Sequence, residues 1–372
     1  MKVEDCSFIN HDYHISYNMK KLEKGFRMPS AAYTLPKKAV KRYMPINKIP
    51  EIGDVIYGMV DTLGQHKSLE NSEGRIHTIH HGSHAIFVFG NRYAPDYYEG
   101  VIPTNTDFEY VDLLARSGVV GQVISQNDKI IAPTRIKVLG YVCDSHGKVI
   151  NTKDYNLIIP KKTEKKFPRA KLILCVGTAM NSGKSAAATA CVYALSLQDK
   201  EVRASKVTGT ASLKDILNMN DAGATYFSDF SYLGYPSTYL ISEQEALDIF
   251  NKLDLKYANN KDNYWVVEFA DGINQRETAY LLNSPDVRKR IHKLIFCAAD
   301  AFGAIGGLQV LKDKFGLVPD AISGVCSSSP LHIKELSMYT DIPVFNSLHA
   351  DPKELHGILS KPRRRVKKPV AE

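Results

Sequence analysis

The chain has 372 residues, of which 44% are hydrophobic and 24% are charged, and its formal net charge at pH 7 is +8. This composition is ordinary for globular proteins and excludes a wholly disordered chain, and the length suits two domains better than one. No apolar run approaches the roughly 18 residues of a membrane span, and the N-terminus lacks a signal peptide's apolar core, so we expect a cytoplasmic protein without membrane association.

Residues 1–160 are predicted to form a β-rich N-terminal domain, in which residues 1–50 are irregular. From Gly53 onwards, alternating or β-branched runs are separated by turns, which is typical of antiparallel strands in a small barrel or sandwich. The loop Phe89–Asp96 is dense in hydrogen-bonding and aromatic groups and is interpreted either as a ligand-binding loop or as a structural turn. The strand-like runs are DVIYGMV, RIHTIHH, HAIFVFG, VVGQVI, RIKVLGYV and KVINTK.

Five of the twelve histidines lie between residues 66 and 84. Imidazole groups clustered in this way can hold Zn²⁺ or another divalent metal. On a strand, however, His77 and His81 face one side while His80 and His84 face the other, so a single site requires the intervening turn to fold them together. A metal site and a surface or turn cluster are both open at this point.

The positive charge is concentrated in two short segments. Residues 161–171 and 361–372 each contain six basic residues and one acidic residue, so the rest of the chain is slightly acidic. The first segment is predicted to be a linker and the second a tail. A basic tail binds nucleic acid or another acidic partner through counterion release, or acts only as a solvated solubility element.

The cysteines show no CxxC spacing. Cys175, Cys297 and Cys326 fall in apolar, strand-like runs. We therefore expect reduced core residues rather than a disulfide framework or a zinc site.

Residues 172–360 alternate apolar strands with amphipathic helices. This order predicts an α/β fold in which a parallel sheet is covered on both faces and ligands bind at the carboxyl ends of the strands. The predicted strands are 171–176, 202–207, 264–269, 293–299, 320–326 and 342–345. The predicted helices are about 184–197, 243–257, 276–291, 304–314, 331–338 and 351–359.

The segment Lys171–Thr189, KLILCVGTAMNSGKSAAAT, has the layout of a phosphate-binding loop (P-loop). A short apolar strand leads into a loop of small residues, and Lys184 and Ser185 open an alanine-rich helix. Backbone N–H groups at the helix N-terminus cradle phosphate oxygens, the lysine reaches the terminal phosphates and the serine hydroxyl binds Mg²⁺. The predicted nucleotide contacts in this segment are Gly177, Thr178, Asn181, Ser182, Gly183, Lys184 and Ser185.

Five residues separate the glycines of this loop, whereas the usual signature has four. In this spacing GTAMNSGKS resembles the GTDTxVGKT loop of dethiobiotin synthetase. The resemblance continues at Lys206–Gly209, where the KPVxSG segment of that family lies, and at Val266–Glu268 with Gly272, which is similar to its VEGAGG strand end. It covers roughly residues 170–350 and implies a dethiobiotin synthetase-like P-loop NTPase domain that uses ATP and Mg²⁺.

Acidic residues near the strand ends are candidate ligands of Mg²⁺, together with Ser185. Glu268 closes the apolar strand YWVVE, and the resemblance implies that this acid helps to coordinate magnesium. Magnesium sites use one or two carboxylates beside phosphate oxygens and water. Asp229 is the preferred second carboxylate and Asp221 the alternate, although either can instead cap a helix or turn.

The remaining predicted site residues follow other strands. Lys184, Lys206 and Arg276 are the candidate catalytic cations, because fixed positive charge stabilises a transferring phosphoryl group. Thr208, Gly209 and Asp271 are the candidate contacts of a second substrate. Ser327 and Asn346 are the candidate contacts of the nucleobase, and adenine or guanine stays open, with ATP favoured by the resemblance.

Together these features predict an ATP- and Mg²⁺-dependent phosphoryl-transfer enzyme, of ligase or kinase type, that activates a carboxylate or similar small-molecule acceptor. The β-rich domain is expected to recognise the substrate or a partner, and a homo-oligomer is expected. The alternatives are a nucleotide-dependent switch and a nucleic-acid-associated NTPase that uses the basic tail.

Overall fold

The computed structural model describes residues 19–161 and 163–363. The chain has an α/β fold made of a β-rich N-terminal half and a parallel sheet that carries the P-loop. Most of the predicted basic tail lies outside the described residues. Within them, none of the helices combines the length and the apolar character that crossing a membrane requires.

The N-terminal half contains a nine-stranded sheet and a separate two-stranded ribbon. Pairing in the large sheet is antiparallel, except between its strands 84–89 and 119–126. The nine strands are β1 (Lys20–Lys21), β2 (Arg42–Met44), β3 (Val55–Thr62), β6 (His84–Phe89), β7 (Arg92–Tyr93), β8 (Tyr98–Val101), β9 (Tyr110–Leu113), β10 (Val119–Gln126) and β11 (Thr134–Cys143). The ribbon is formed by β4 (Ser68–Glu70) and β5 (Ile76–Thr78).

Five strands of this sheet close into a small barrel, because β3, β6, β10, β9 and β11 pair in a ring. Closure leaves these strands without free edges, which removes a risk of edge-to-edge association. Side chains alternate between the two faces of the strands. Ile56 and Phe87 belong to the cluster that draws on all five barrel strands, whereas Tyr57 and Val88 belong to a different buried cluster.

The C-terminal half contains six parallel strands in the order β14-β13-β15-β12-β16-β17. The middle residues of its central strands are apolar because both faces of the sheet are covered. The strands are β12 (Lys171–Gly177), β13 (Val202–Lys206), β14 (Tyr226–Asp229), β15 (Tyr264–Glu268), β16 (Ile291–Cys297) and β17 (Ala321–Ser323). The helices are α1 (Lys184–Ser196), α2 (Leu213–Asp221), α3 (Glu243–Tyr257), α4 (Arg276–Asn283), α5 (Pro285–Arg288), α6 (Ala301–Phe315), α7 (Pro330–Ser337) and α8 (Pro352–Ser360).

The barrel and the parallel sheet share one hydrophobic core. A continuous cluster of buried side chains includes Tyr57 and Val88 of the barrel together with Leu174 and Trp265 of the parallel sheet. Hydrogen bonds also join the halves, for example from the Thr152 hydroxyl to the Gly234 carbonyl at 2.6 Å. The barrel is therefore fixed against the sheet by burial on its outer face as well as by polar contacts.

Several sequence-based predictions about single elements are wrong. No strand forms at 342–345, where Val344 makes only an isolated bridge to Ile322. The helix predicted at 276–291 stops at Asn283 and a short helix restarts at Pro285, because proline lacks the N–H that a continuous helix needs and suits a helix's first turn.

The run KVINTK forms isolated bridges and a short 3-10 helix rather than a strand. The side chain of Asn151 caps that helix by accepting a hydrogen bond from the Lys153 N–H at 3.0 Å. The five cysteines in the described part of the chain are free and buried.

Candidate functional site

The P-loop connects β12 to α1 at the carboxyl edge of the parallel sheet. β12 ends at Gly177 and α1 begins at Lys184. Among the described residues no side chain caps the N-terminus of this helix, so its N–H groups are available to an anion. Gly183 has φ +94°, and a Cβ atom there would lie 2.7 Å from the Cα of Gly324. Only glycine fits this close crossing of two backbones.

Lys184 is buried, with 5% of its surface exposed, yet it lines a cavity. Its Nζ donates a 2.6 Å hydrogen bond to the Ala179 carbonyl of the same loop. Burial lowers the pKa of Lys184, while the carboxylates of Glu268 and Asp271 act in the opposite direction. The loop thus holds a desolvated cation at the helix N-terminus, where a phosphate would be bound.

Three ionisable side chains meet beside the loop. Lys206 is the last residue of β13 and forms an ion pair with Asp215 of α2. Its Nζ lies 3.8 Å from Oε1 of Glu268, which is its paired residue on the neighbouring strand β15. Burial alone would lower the pKa of Lys206, but the two carboxylates raise it above its usual value. Burial alone would raise the pKa of Asp215, but the nearby charge of Lys206 lowers it below its usual value. For Glu268 the effect of burial is larger than that of the cations, and its pKa is raised.

The oxygen atoms around Ser185 fit a magnesium ion. A hydrogen bond from the Ser185 hydroxyl favours the ionised form of both the Asp215 and the Glu268 carboxyl groups, although burial still keeps the pKa of Glu268 raised. Oε2 of Glu268 is buried without a hydrogen-bond partner among the described residues. Mg²⁺ prefers such oxygen donors and is usually bound by one or two carboxylates together with phosphate oxygens and water.

No group of three or more histidine, cysteine or acidic side chains is placed to hold a metal ion in the described part of the chain. Magnesium would therefore depend on nucleotide phosphates for part of its coordination. The predicted histidine cluster is dispersed: His66 lines the cavity, His81 Nδ1 lies 2.6 Å from the Asp61 carbonyl, and His84 pairs with Glu23.

A cavity of about 800 Å³ lies between the P-loop and the N-terminal half of the chain. This volume is within the usual range for small-molecule sites. One wall contains Lys184, Ser185, Lys206, Asp215, Glu268 and Asp271, and the opposite wall contains His66, Glu70, Arg92, Tyr93, Tyr97 and Arg116. The loop Phe89–Asp96 supplies part of this second wall. From the sequence alone it was interpreted either as a ligand-binding loop or as a structural turn.

Asp271 follows β15 and faces Lys184 across the loop. Its backbone has φ +61°, a left-handed conformation that is uncommon for residues other than glycine. Burial raises the pKa of Asp271 to about 6, against the lowering effect of Lys184 and Lys206. The carboxyl group can therefore take up or release a proton near neutral pH inside the cavity.

The structure brings together most of the predicted site residues. Those that line the cavity are Asn181, Gly183, Lys184, Ser185, Lys206, Gly209, Asp221, Glu268 and Asp271. Gly177, Thr178 and Ser182 belong to the same loop, and Ser182 Oγ is buried without a partner among the described residues.

Thr208 and Asp229 lie outside the cavity lining, beneath the strand ends. The Thr208 hydroxyl accepts a 2.9 Å hydrogen bond from the Ala270 N–H. Asp229 accepts a 2.8 Å hydrogen bond from the Ser231 N–H and caps a short 3-10 helix, while burial raises its pKa to about 6. Both side chains have a structural partner, but Oδ2 of Asp229 is buried without a hydrogen-bond partner among the described residues, and the predicted site roles of Thr208 and Asp229 stay predictions.

Arg276, Ser327 and Asn346 also lie away from the cavity lining. Arg276 donates to the Ile241 carbonyl at 2.9 Å and pairs with Glu277. Ser327 donates to the Gly324 carbonyl at 2.6 Å, and Asn346 accepts a 3.0 Å hydrogen bond from the Leu348 N–H. Their predicted roles in catalysis and base binding stay predictions.

Sequence analysis missed Asp215 because it missed the whole of α2. The sequence does contain a signal for this amphipathic helix, because apolar residues recur every three positions. These residues, Leu213, Ile216 and Met219, are buried in the structure. Arg92 lies in the loop Phe89–Asp96, which the sequence marked as either a ligand-binding loop or a turn, whereas Arg116 carries no local motif. Only the closure of the barrel and its position against the parallel sheet bring them opposite the P-loop.

A second cavity, of about 580 Å³, continues from the first along α1. The two share Ala186, Asn218 and Asp221 in their linings, and Tyr193 and Leu348 line the second one. A ligand bound at the P-loop can therefore extend along the helix into a more apolar groove.

No protein-family model matches this chain, and no curated protein matches its sequence. Among solved structures, the signal recognition particle receptor FtsY from Elizabethkingia anophelis in complex with GDP is 10% identical, with 57% of this chain and 70% of that chain covered and a TM-score of 0.36. A ParA family ATPase from Chlorobium tepidum TLS is 15% identical, with 51% and 88% covered and a TM-score of 0.32. HypB from Helicobacter pylori in complex with nickel is 14% identical, with 51% and 84% covered and a TM-score of 0.29. With TM-scores this low, these similarities support no argument about the function of this chain.

Proposed function

We propose that this chain is an Mg²⁺- and nucleoside-triphosphate-dependent enzyme that transfers a phosphoryl group to a small-molecule acceptor, as a ligase or kinase does. The observation that carries this proposal is the cavity with two unlike walls. Lys184 and the N-terminus of α1 form the phosphate side, and the N-terminal half supplies a separate set of polar side chains to the cavity. A nucleotide alone would not require the second wall.

Phosphoryl transfer depends mainly on positioning and charge stabilisation, and this site offers both. Lys184 and the loop amides would hold the phosphates, and Ser185 with Glu268 would hold Mg²⁺, which neutralises phosphate charge. Lys206, fixed by Asp215 and Glu268, would stabilise the phosphoryl group as it moves. Asp271 would accept a proton from the acceptor.

ATP is the proposed nucleotide on the basis of the dethiobiotin synthetase-like loop, with GTP as the alternative. The second cavity is the proposed place for the sugar or base, because it adjoins the phosphate site at Ala186 and has an apolar wall.

The decisive test is Lys184→Ala. We expect nucleotide turnover to fall by about 10²-fold or more, since a buried cation that contacts the phosphates is lost. Lys200→Ala, an exposed lysine after the end of α1, is the matched control and should leave turnover unchanged. Turnover of both ATP and GTP should be measured beside the circular dichroism spectrum, and undiminished turnover in folded Lys184→Ala protein would refute the proposal.

The acceptor can be sought with the same assay. Fractions of a metabolite pool are added to the protein with ATP or GTP, and release of ADP or GDP is followed. We expect one fraction to raise the release in the normal chain and to have no effect on Lys184→Ala.

A further inference from the structure

Arg92 is a buried cation without an anion at ion-pair distance among the described residues. Only 8% of its surface is exposed, and it lines the cavity from the N-terminal half of the chain. The Asp271 carboxylate acts on it only across the cavity, as the charge effect on the pKa of Arg92 shows, and its NH1 lies 3.1 Å from Nε2 of His66. Burial of an unpaired charge is costly, so such a cation is normally matched by an anion.

The contact with His66 does not supply that anion. Burial lowers the pKa of His66 to about 4, so its imidazole is neutral at physiological pH. Its Nε2 also lies 3.0 Å from the Leu114 carbonyl oxygen. A neutral Nε2 either donates to that oxygen or accepts from Arg92, since one ring nitrogen cannot do both. The arrangement therefore leaves the guanidinium or the carbonyl short of a hydrogen bond.

The surrounding wall adds positive charge. Arg116 is exposed and lines the same side of the cavity. Glu70 is the acidic side chain of this wall, but its carboxylate accepts hydrogen bonds from the backbone N–H groups of Leu213 and Lys214 at the start of α2. The Tyr97 ring, 5.3 Å from the Cζ of Arg92, holds the guanidinium in place.

The opposite wall sets the direction in which an acceptor would lie. Asp271 lies within the electrostatic range of Lys184 on the phosphate side and of Arg92 on the other side, and it and the nucleotide phosphates would repel an anion from the P-loop end of the cavity. The side of the cavity that carries Arg92 and Arg116 attracts an anion. An acceptor with an anionic group at one end would therefore place that end on the barrel and its other end towards the P-loop.

We propose that the acceptor carries a carboxylate or phosphate group that Arg92 and Arg116 bind, while its reacting group faces Lys184. A guanidinium matches the two oxygens of either anion in a bidentate pair, which gives orientation as well as affinity. This inference rests on the proposed function, because it names the class of acceptor for the same cavity.

The test uses the full chain with Mg²⁺ and the non-hydrolysable ATP analogue AMP-PNP, so that the P-loop is occupied. Succinate and inorganic phosphate are titrated by calorimetry at constant ionic strength, and succinamide serves as the neutral counterpart. We expect one of the two anions to bind and succinamide not to bind, and the anion that binds identifies the group. Arg92→Met should weaken that binding roughly 30-fold or more, as expected for loss of one partner of a buried charge pair.

Arg135→Gln is the matched control, because Arg135 stacks on Tyr110 outside the cavity lining and should leave anion binding unchanged. If Arg92→Met does not fold, Arg116→Gln replaces an exposed residue and should still weaken binding several-fold. Binding of neither anion, or equal binding in the normal chain and the cavity variants, overturns the inference. If AMP-PNP itself does not bind, the proposed function fails; if AMP-PNP binds and the anions do not, only this inference fails.

Discussion

Asn181 of the P-loop donates a 2.5 Å hydrogen bond from its Nδ2 to the Asp96 carboxylate of the N-terminal half. Asn181 adopts a left-handed backbone with φ +59°, and Asp96 is exposed at the end of the loop Phe89–Asp96. The contact joins the barrel side of the chain directly to the predicted phosphate site. It also places a negative charge next to the position that a phosphate would take.

The first prediction concerns this charge. Asp96→Asn should tighten nucleotide binding a few-fold at low ionic strength, because it removes the repulsion between the carboxylate and the phosphates but keeps a polar side chain. The gain should shrink in 0.5 M salt, since exposed charges are screened. The binding affinity is measured by equilibrium titration with a fluorescent ATP analogue. Weaker binding to Asp96→Asn would contradict the proposed repulsion and would show that the carboxylate stabilises the nucleotide site.

The second prediction concerns Lys206. Lys206→Ala should still bind nucleotide, since Lys184 and the loop amides remain, but acceptor-stimulated turnover should fall by about 10²-fold or more. Nucleotide affinity and turnover are measured on the same preparation, with exposed Lys312→Ala of α6 as the control. Equal losses of affinity and turnover would assign Lys206 to nucleotide binding alone, and unaltered turnover would leave it with only a structural ion pair.

The third prediction concerns the pH dependence of turnover. The pKa of Asp271 is raised to about 6, so its carboxylate form predominates above pH 6 and is lost as the pH falls through that value. If this carboxylate accepts the acceptor's proton, turnover should decline on the acidic side with a midpoint close to pH 6. Asp271→Asn should remove this decline and lower turnover at pH 8.

The control for the pH profile is Asp229→Asn. Burial also raises the pKa of Asp229 to about 6, but this residue caps a 3-10 helix outside the cavity lining. The acidic decline should therefore persist in Asp229→Asn. If the acidic decline instead disappears in Asp229→Asn and persists in Asp271→Asn, the titrating carboxylate is Asp229 and not Asp271.

The fourth prediction concerns stability. Asp254 of α3 is fully buried and accepts hydrogen bonds from Arg169 and Arg290, and Lys165 lies 2.9 Å away. Burial alone would raise the pKa of Asp254, but Arg290 and Lys165 hold it below its usual value. Asp254→Asn would leave buried cations unpaired, so we expect the free energy of unfolding to drop by about 3–5 kcal/mol.

Urea titration at pH 7 measures this loss, and Asp286→Asn is the control because its pair with Lys289 is exposed and should contribute about 0–1 kcal/mol. Since the folded pKa of Asp254 lies below 3.8, its contribution should be complete above about pH 4 and should disappear only in stronger acid. A drop of similar size in both variants would contradict the role of burial.

The parts of this molecule that follow from local sequence were predictable. The P-loop strand and helix, the capping box at Ser242 and the limits of α3 all depend on residues within a few positions of one another. Strand β14 and helix α2 were not predicted. The strand, with exposed Tyr226, forms at the sheet edge by pairing in parallel with β13.

The barrel wall of the site was unpredictable for a different reason. Arg92 and Glu268 are far apart in the sequence, and no periodic pattern of residues indicates that they line the same cavity. Their proximity depends on two separate packing events: closure of the barrel, and burial of its outer face on the parallel sheet. Tertiary burial of this kind leaves no signature within either segment alone.

The shared core under the cavity makes the two halves a single cooperative unit. Tyr57 and Val88 on the outside of the barrel belong to the same buried cluster as Leu174 and Trp265 of the parallel sheet. Either half expressed by itself would expose this apolar surface to water, and it would aggregate or remain partly unfolded. Cutting the chain within residues 161–171 should therefore yield two fragments that stay associated and melt together. A hinge motion between the halves would expose this core to water, so we expect the acceptor to enter the cavity at its exposed rim, where Arg116 lies, without separation of the halves.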